Sequence, residues 1–217
     1  MLFRSWQIGL NWDDELPCEV KEKWTQLYEE MKELNQIGFK RCLVPPETPE
    51  SPALCVFSDA SQEAFGACVN IRQKTKQGTY EVNFIAAKSR VAPLKQLTIL
   101  HLELQAAVLA YRLEKTIVKE CTIHFGNVKF FTDSSITLAW IQSPSRSLKP
   151  FVSARVGEIQ NNSDPSQWKH NPGEENVADD LSRGLHVKQL TGRWMKDRKS
   201  TRLNSSHSDR SRMPSSA

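Results

Sequence analysis

Long apolar runs are missing from this 217-residue chain. Nothing approaches the ~18 consecutive apolar residues of a membrane-spanning helix, and no signal-peptide pattern opens the sequence. Paired cysteines are missing too. Cys18, Cys42, Cys55, Cys68 and Cys121 are odd in number, scattered, and form no CxxC pair. That usage argues against a structural zinc site and for a reducing, intracellular setting. A strong charge of one sign is also absent from most of the chain. The net charge is +4, but residues 193–217 hold seven basic and two acidic residues, leaving 22 basic and 23 acidic ones elsewhere. A polyanion must therefore be met by a local patch and not by the field of the whole molecule.

What is present is the composition of a soluble globular protein, 25% charged and 39% hydrophobic. The proline-rich stretch VPPETPESP (44–52) divides it, since repeated prolines with acidic residues form neither helix nor interior strand. Before it, Trp6, Ile8, Leu10 and Trp12 alternate as in a short strand. A helix is predicted over about 17–37, with Pro17 in its first turn and Gly38 as its stop. Val20, Trp24, Leu27, Met31 and Leu34 give that helix one apolar stripe, which is expected to dock on another surface.

After the linker, ALCVFSD (53–59), ACVNIRQ (67–73) and TYEVNFIAAKS (79–89) read as strands, the last two as a hairpin around TKQG. TILHLELQAAVLAYRL (98–113) reads as a helix and NVKFFTD (127–133) as a strand. SSITLAWIQ (134–142) and PFVSARVGEIQ (150–160) are predicted helices, SQWKHN (166–171) a strand, and EENVADDLSRG (174–184) a last helix. Strands first and alternation later predict an α/β fold, a mixed sheet with helices on its faces. Three segments result: a connection segment at 1–50, a compact domain at 51–190, and a tail at 191–217. The tail has few apolar residues and many Ser and Arg, so it is expected to be disordered. STRLNSSH and the Ser/Arg stretch after it look like translated sequencing adaptor, which makes an assembly artefact the preferred reading over a basic nucleic-acid arm.

One residue is out of keeping with its helix. Glu103 has Ala106, Ala107 and Ala110 as its i+3, i+4 and i+7 neighbours. A carboxylate on a small-residue stripe should approach another backbone closely, where an unpaired charge is costly or shifts its pKa. On this segment alone, a charge at the stripe's edge reaching water is an equal alternative. FSDAS (57–61) and FTDSS (131–135) each put an aspartate, Asp59 or Asp133, at the carboxyl end of an apolar strand. If those strands are parallel neighbours, both aspartates emerge at one sheet edge, where open α/β sheets place their sites. Asp179, with Asp180 beside it, offers a fourth carboxylate. Converging carboxylates repel one another unless cations join them. Oxygen-only ligands with few histidines suit Mg²⁺ or Mn²⁺. Two such ions ~3.5–4 Å apart stabilise both the attacking water and the leaving oxygen of a phosphodiester.

SDAS, LELQAA, TDSS and NVADDLSRG, in this order, resemble the Asp-Glu-Asp-Asp set of the ribonuclease H family. More narrowly, AAKSRVAPLKQLTILHLELQAAVLA, FFTDSSITLAWIQSPSRSLKPFVSARVGEIQ and WKHNPGEENVADDLSRG are similar to the Bel/Pao class of LTR retrotransposon polyproteins. The likeness runs from about 54 to 187. NWDDELPCEVKEKWTQLYEEMKEL resembles the segment that joins reverse transcriptase to ribonuclease H in those polyproteins. The resemblance implies a ribonuclease H-like mixed five-stranded sheet flanked by helices, and metal-dependent hydrolysis of the RNA strand of an RNA–DNA hybrid. It further implies two Mg²⁺ or Mn²⁺ ions, a reverse transcriptase region as partner, no membrane, and a cytoplasmic location within virus-like particles.

Carried over by motif, Asp59, Glu103, Asp133 and Asp179 are the implied catalytic metal ligands. Asp179 is preferred to Asp180 because the family pattern has Ala-Asp after the Asn. His170, six residues before Asn176, falls where ribonucleases H often have a proton-shuttling histidine; a satisfied surface histidine is the competing reading. Ala60 departs from the Gly that many cellular members have there. Ser61, Ser134 and Ser135 are candidates for contact with phosphate or ribose. Arg146, Lys149 and Arg155 are candidates for a phosphate-facing patch beside Trp140, against the alternative of a solvated basic face.

Three other functions are weighed. A catalytically inactive tether could bind nucleic acid and support the polymerase, but a scaffold has no need of mutually repelling acids. An integrase-type transferase needs its helical Glu after the second Asp, whereas Glu103 precedes Asp133. An aspartic peptidase needs Asp-Ser/Thr-Gly, which neither Asp59-Ala60-Ser61 nor Asp133-Ser134-Ser135 supplies.

Overall fold

Ala53–Ala60 (β1) is apolar along nearly its whole length, as a strand covered on both faces must be, and Leu54 through Ala60 are all buried. The computed structural model describes residues 9–11, 13–38, 41–44, 50–95, 97–187 and 189. It places β1 at the centre of a five-stranded sheet with Ala64–Lys74 (β2), Tyr80–Val91 (β3), Asn127–Thr132 (β4) and Trp168–His170 (β5). The strand order is β3-β2-β1-β4-β5. The first three strands form an antiparallel meander, while β4 is parallel to β1 and β5 to β4. The predicted hairpin is present. Its turn closes with Thr75 N donating to Thr79 O at 2.8 Å, and Gly78 takes the left-handed φ of 79° that its lack of a Cβ permits. The strand predicted at 166–171 is shorter, because Asp164 and Gln167 build a capping box over a 3₁₀ turn just before it.

Side chains alternate across the sheet. On one face Leu54, Val56, Val69, Ile71 and Phe130 form the main core with the helices Ile99–Glu120 (α2) and Pro150–Asn162 (α4). Ile141 of Ser135–Gln142 (α3) joins them. On the other face Cys55, Phe57, Cys68 and Phe131 pack with Val177 and Ala178, under the short helix Asp179–Arg183 (α5). Phe57 stacks on Phe131 at 4.9 Å and Phe130 on Trp168 at 4.5 Å between ring centroids. Each such fully buried apolar side chain contributes about 1.5–3 kcal/mol of transfer free energy. With α2 on one face and α5 on the other, the carboxyl end of β1 is met from both sides.

Two helices differ from expectation. α2 runs seven residues past its predicted end, because no Gly or Pro interrupts it and Ile117 adds a further buried contact. The last helix begins at Asp179 instead of 174, after a separate 3₁₀ turn at Gly173–Glu175. Asn176, wholly buried, donates from Nδ2 to Ser58 O at 2.9 Å and accepts from Ala178 N at 3.2 Å. Side-chain bonds to backbone of this kind compete with helical hydrogen bonding.

The N-terminal helix, Cys18–Glu33 (α1), has Pro17 at its N-cap position and a 3₁₀ turn at Leu34–Gln36. None of its residues is buried. Val20, Trp24 and Leu27 are half-buried, whereas Met31 and Leu34 are exposed, so only part of the predicted stripe is covered. Leu27 and Glu30 line a groove of about 340 Å³ with residues 183–186, and Glu30 meets His186 Nδ1 at 3.0 Å. Trp6, Ile8 and Trp12, most of the proline-rich linker and the tail at 191–217 lie outside the described residues. Among the described residues no helix is long and apolar enough to cross a membrane.

Candidate metal centre

Asp59 is the penultimate residue of β1, and Asp133 directly follows the last residue of β4. The parallel register pairs Ser58 with Thr132, so the two aspartates leave the sheet side by side. Glu103 comes from the first turns of α2, a helix started by Thr98, whose hydroxyl accepts from His101 N. The alanines beyond Glu103 are wholly buried against the sheet and let the helix lie close. One carboxylate oxygen from each of Asp59, Glu103 and Asp133 lies within 4.8 Å of the other two. Two like charges at that separation repel by roughly 3 kcal/mol at an effective dielectric near ~20.

The electrostatics show the conflict. Burial pushes Asp59 up to about 7 against the bond from Ser182, which lowers it, and the charges of Asp133 and Asp179 add to the rise. Burial pushes Glu103 up to about 9; the charges of Asp59 and Asp133 act in the same direction, and the Ala60 backbone N–H opposes them. Glu103 Oε2 and Asp133 Oδ1 are buried and have no hydrogen-bond partner. Buried, unpartnered carboxylate oxygens in a cluster of three acids are the donor set that a hard divalent cation takes, so Asp59, Glu103 and Asp133 fit such an ion. Gly173 leaves room here, since a Cβ on it would lie 3.2 Å from Asp133 Oδ2.

Asp179 stands outside this cluster. It is near enough to raise the pKa of Asp59, but its Oδ1 is ion-paired to Arg183 Nε at 2.5 Å and its side chain is 25% exposed. Asp180 is buried. His170 is exposed, with Nε2 at 3.0 Å from Asp133 O; a carbonyl only accepts, so Nε2 carries the proton in this contact.

The remaining predicted positions divide into two groups. Ser61 Oγ donates to Ser182 O at 2.6 Å, and Ser134 caps α3 by accepting from Thr137 N. Arg155 lies over the Phe151 ring at 3.5 Å and donates to Phe151 O. With its amide suitably oriented, Gln105 also accepts from Arg155 at 2.9 Å. These three are engaged within the protein, Arg155 while half-buried. Ser135, Arg146 and Lys149 are exposed. Two residues were not singled out from sequence as part of the site: Asn176, which ties the α5 approach to β1, and Ser182, whose hydroxyl donates to Asp59 Oδ2. Their only signal was membership of the NVADDLSRG motif.

Several solved structures are similar in part. They include RNase H1 from the halophilic archaeon Halobacterium salinarum NRC-1, at 13% identity and TM-score 0.38, covering 61% of this chain and 94% of that one. LC11-RNase H1 in complex with RNA/DNA hybrid is 16% identical at TM-score 0.40, covering 64% and 99%. The prototype foamy virus protease-reverse transcriptase is 12% identical at TM-score 0.32, covering 80% of this chain and 23% of that one. A comparison with curated proteins finds no match. A family model, the Pao retrotransposon-like RNaseH-like domain, matches residues 1–134. The match runs across the division expected at residue 50, takes in Asp59, Glu103 and Asp133, and ends before His170 and Asp179. With well over half of its length matched and the mixed five-stranded sheet that the resemblance implied, the chain belongs to the family of Pao retrotransposon-like RNaseH-like domains.

Proposed function

We propose that this chain hydrolyses the RNA strand of an RNA–DNA hybrid endonucleolytically during retrotransposon reverse transcription, with two Mg²⁺ or Mn²⁺ ions. The observation that supports this reading most is the convergence of Asp59, Glu103 and Asp133 within 4.8 Å, with buried oxygens left unsatisfied. A bound divalent cation supplies Lewis-acid activation of water and charge neutralisation at the phosphodiester. The chain's own residues do the rest. Asp59, Glu103 and Asp133 would hold the first ion, and Asp179, now paired with Arg183, would serve the second. His170 Nε2 holds a proton beside the third ligand and is the candidate to pass one at the reacting phosphate. Ser135, Arg146 and Lys149 meet phosphate or ribose of the hybrid, while Ser61, Ser134 and Arg155 shape the surface from within. The reaction runs beside the reverse transcriptase region of the same polyprotein, in cytoplasmic virus-like particles.

A nicking assay on an end-labelled RNA–DNA hybrid tests the proposal. RNA-strand products should form with Mg²⁺, and should vanish with chelator or in Asp133→Asn. Folded wild-type protein that leaves the hybrid intact would sink the enzyme reading and favour the inactive tether.

A further inference from the structure

We propose that Ser182 is a positioning residue for Asp59: its hydroxyl holds Oδ2 so that Oδ1 is turned to the cation. The inference rests on the metal-centre reading above. Ser182 is 3% exposed and sits on α5, 123 residues from its partner. Its single hydroxyl proton has two acceptors in reach, Asp59 Oδ2 and Asp179 O, the latter at 3.1 Å. An ionised Asp59, as a cation would hold it, outcompetes the neutral carbonyl for that proton.

Ser182 is itself held. Its carbonyl accepts from Ser61 Oγ at 2.6 Å, and Ser61 Oγ accepts from Glu63 N and Ala64 N, both at 3.2 Å. The turn between β1 and β2 thus grips α5 directly beside the first carboxylate. On the other side Leu181 presses on Gly66, where even a Cβ would come within 2.8 Å. Ser182 therefore cannot shift without moving α5. The chain from Ser61 through Ser182 to Asp59 is an outer layer of the kind that fixes a ligand's orientation, and its loss typically weakens metal affinity ~10–100-fold.

Calorimetric Mn²⁺ titration of the full chain, with thermal melts in chelator, tests the role. Ser182→Ala, still folded without metal, should bind Mn²⁺ at least ~10-fold more weakly. Ser182→Thr, which keeps the hydroxyl, should recover most of the affinity. Wild-type affinity in folded Ser182→Ala, or equal loss in the Ala and Thr variants, overturns the positioning role and leaves the metal centre standing. Should Ser182→Ala fail to fold, Ser61→Ala decides: weakened Mn²⁺ binding supports the chain of contacts, and unchanged binding overturns it. A folded wild type that binds no Mn²⁺ removes the metal-centre reading, and this inference with it.

Discussion

Replacing Glu103 by Gln keeps the shape of the side chain and drops the charge, which separates stability from chemistry at this position. Burial and the neighbouring aspartates already oppose that charge. Metal-free Glu103→Gln should therefore melt at or above the wild-type temperature, while Mn²⁺ binding and hybrid nicking fall below detection. A loss of stability above ~2 kcal/mol would instead mark Glu103 as structural. A pH series of urea midpoints in chelator gives a second measure. A carboxylate whose folded pKa exceeds its unfolded one binds its proton more tightly in the native state, so stability falls as pH rises between the two values. The windows run from 3.8 to about 7 for Asp59 and from 4.5 to about 9 for Glu103. Wild-type stability should decline across them, saturating Mn²⁺ should flatten the decline, and Glu103→Gln should remove its upper part. Glu103 was legible in sequence because a charge among alanines breaks a pattern. Ser182 was not, because nothing near it in sequence names its partner.

α5 is short, and its contribution depends on how it is seated. Two substitutions outside the carboxylates probe that seat. At Gly66 an added methyl meets Leu181 Cβ at 2.8 Å and Lys88 O at 3.2 Å, so Gly66→Ala must displace α5 or bend β2. Overpacking of this kind costs about 1–3 kcal/mol, and Mn²⁺ binding should weaken along with it. Asn176→Ala removes the bond to Ser58 O, for a loss of about 1–3 kcal/mol in urea denaturation. Wild-type stability in both variants would show that α5 is held by other contacts. The strands and α2 were readable because alternation and small-residue periodicity are carried within each segment. The start of α5 was not, since Asn176 breaks the helix by bonding to a strand 118 residues away.

For the whole molecule the cation should act as a ligand of the native state alone. At a hundredfold excess over Kd, Mg²⁺ or Mn²⁺ should add about 2.7 kcal/mol of stability, and chelator should reverse the rise in melting temperature. No shift at any cation concentration would count against the centre as a whole. The sequence by itself determined the order of strands and helices and the aspartates at two strand ends, because these follow from apolar runs and turns within each segment. Four carboxylates were expected from motifs; the 4.8 Å convergence of three of them, Asp59, Glu103 and Asp133, depends on the parallel β1–β4 register and on the depth of α2 against the sheet. Only the tertiary structure decided that Asp179 pairs with Arg183 outside the cluster, that Ser61 and Arg155 are engaged within the protein, and that Ser182 turns toward Asp59. The two bonds of Ser182, to Ser61 and to Asp59, join residues 121 and 123 apart in the chain, and a hydrogen bond's partner is set by where the packed elements bring its donor.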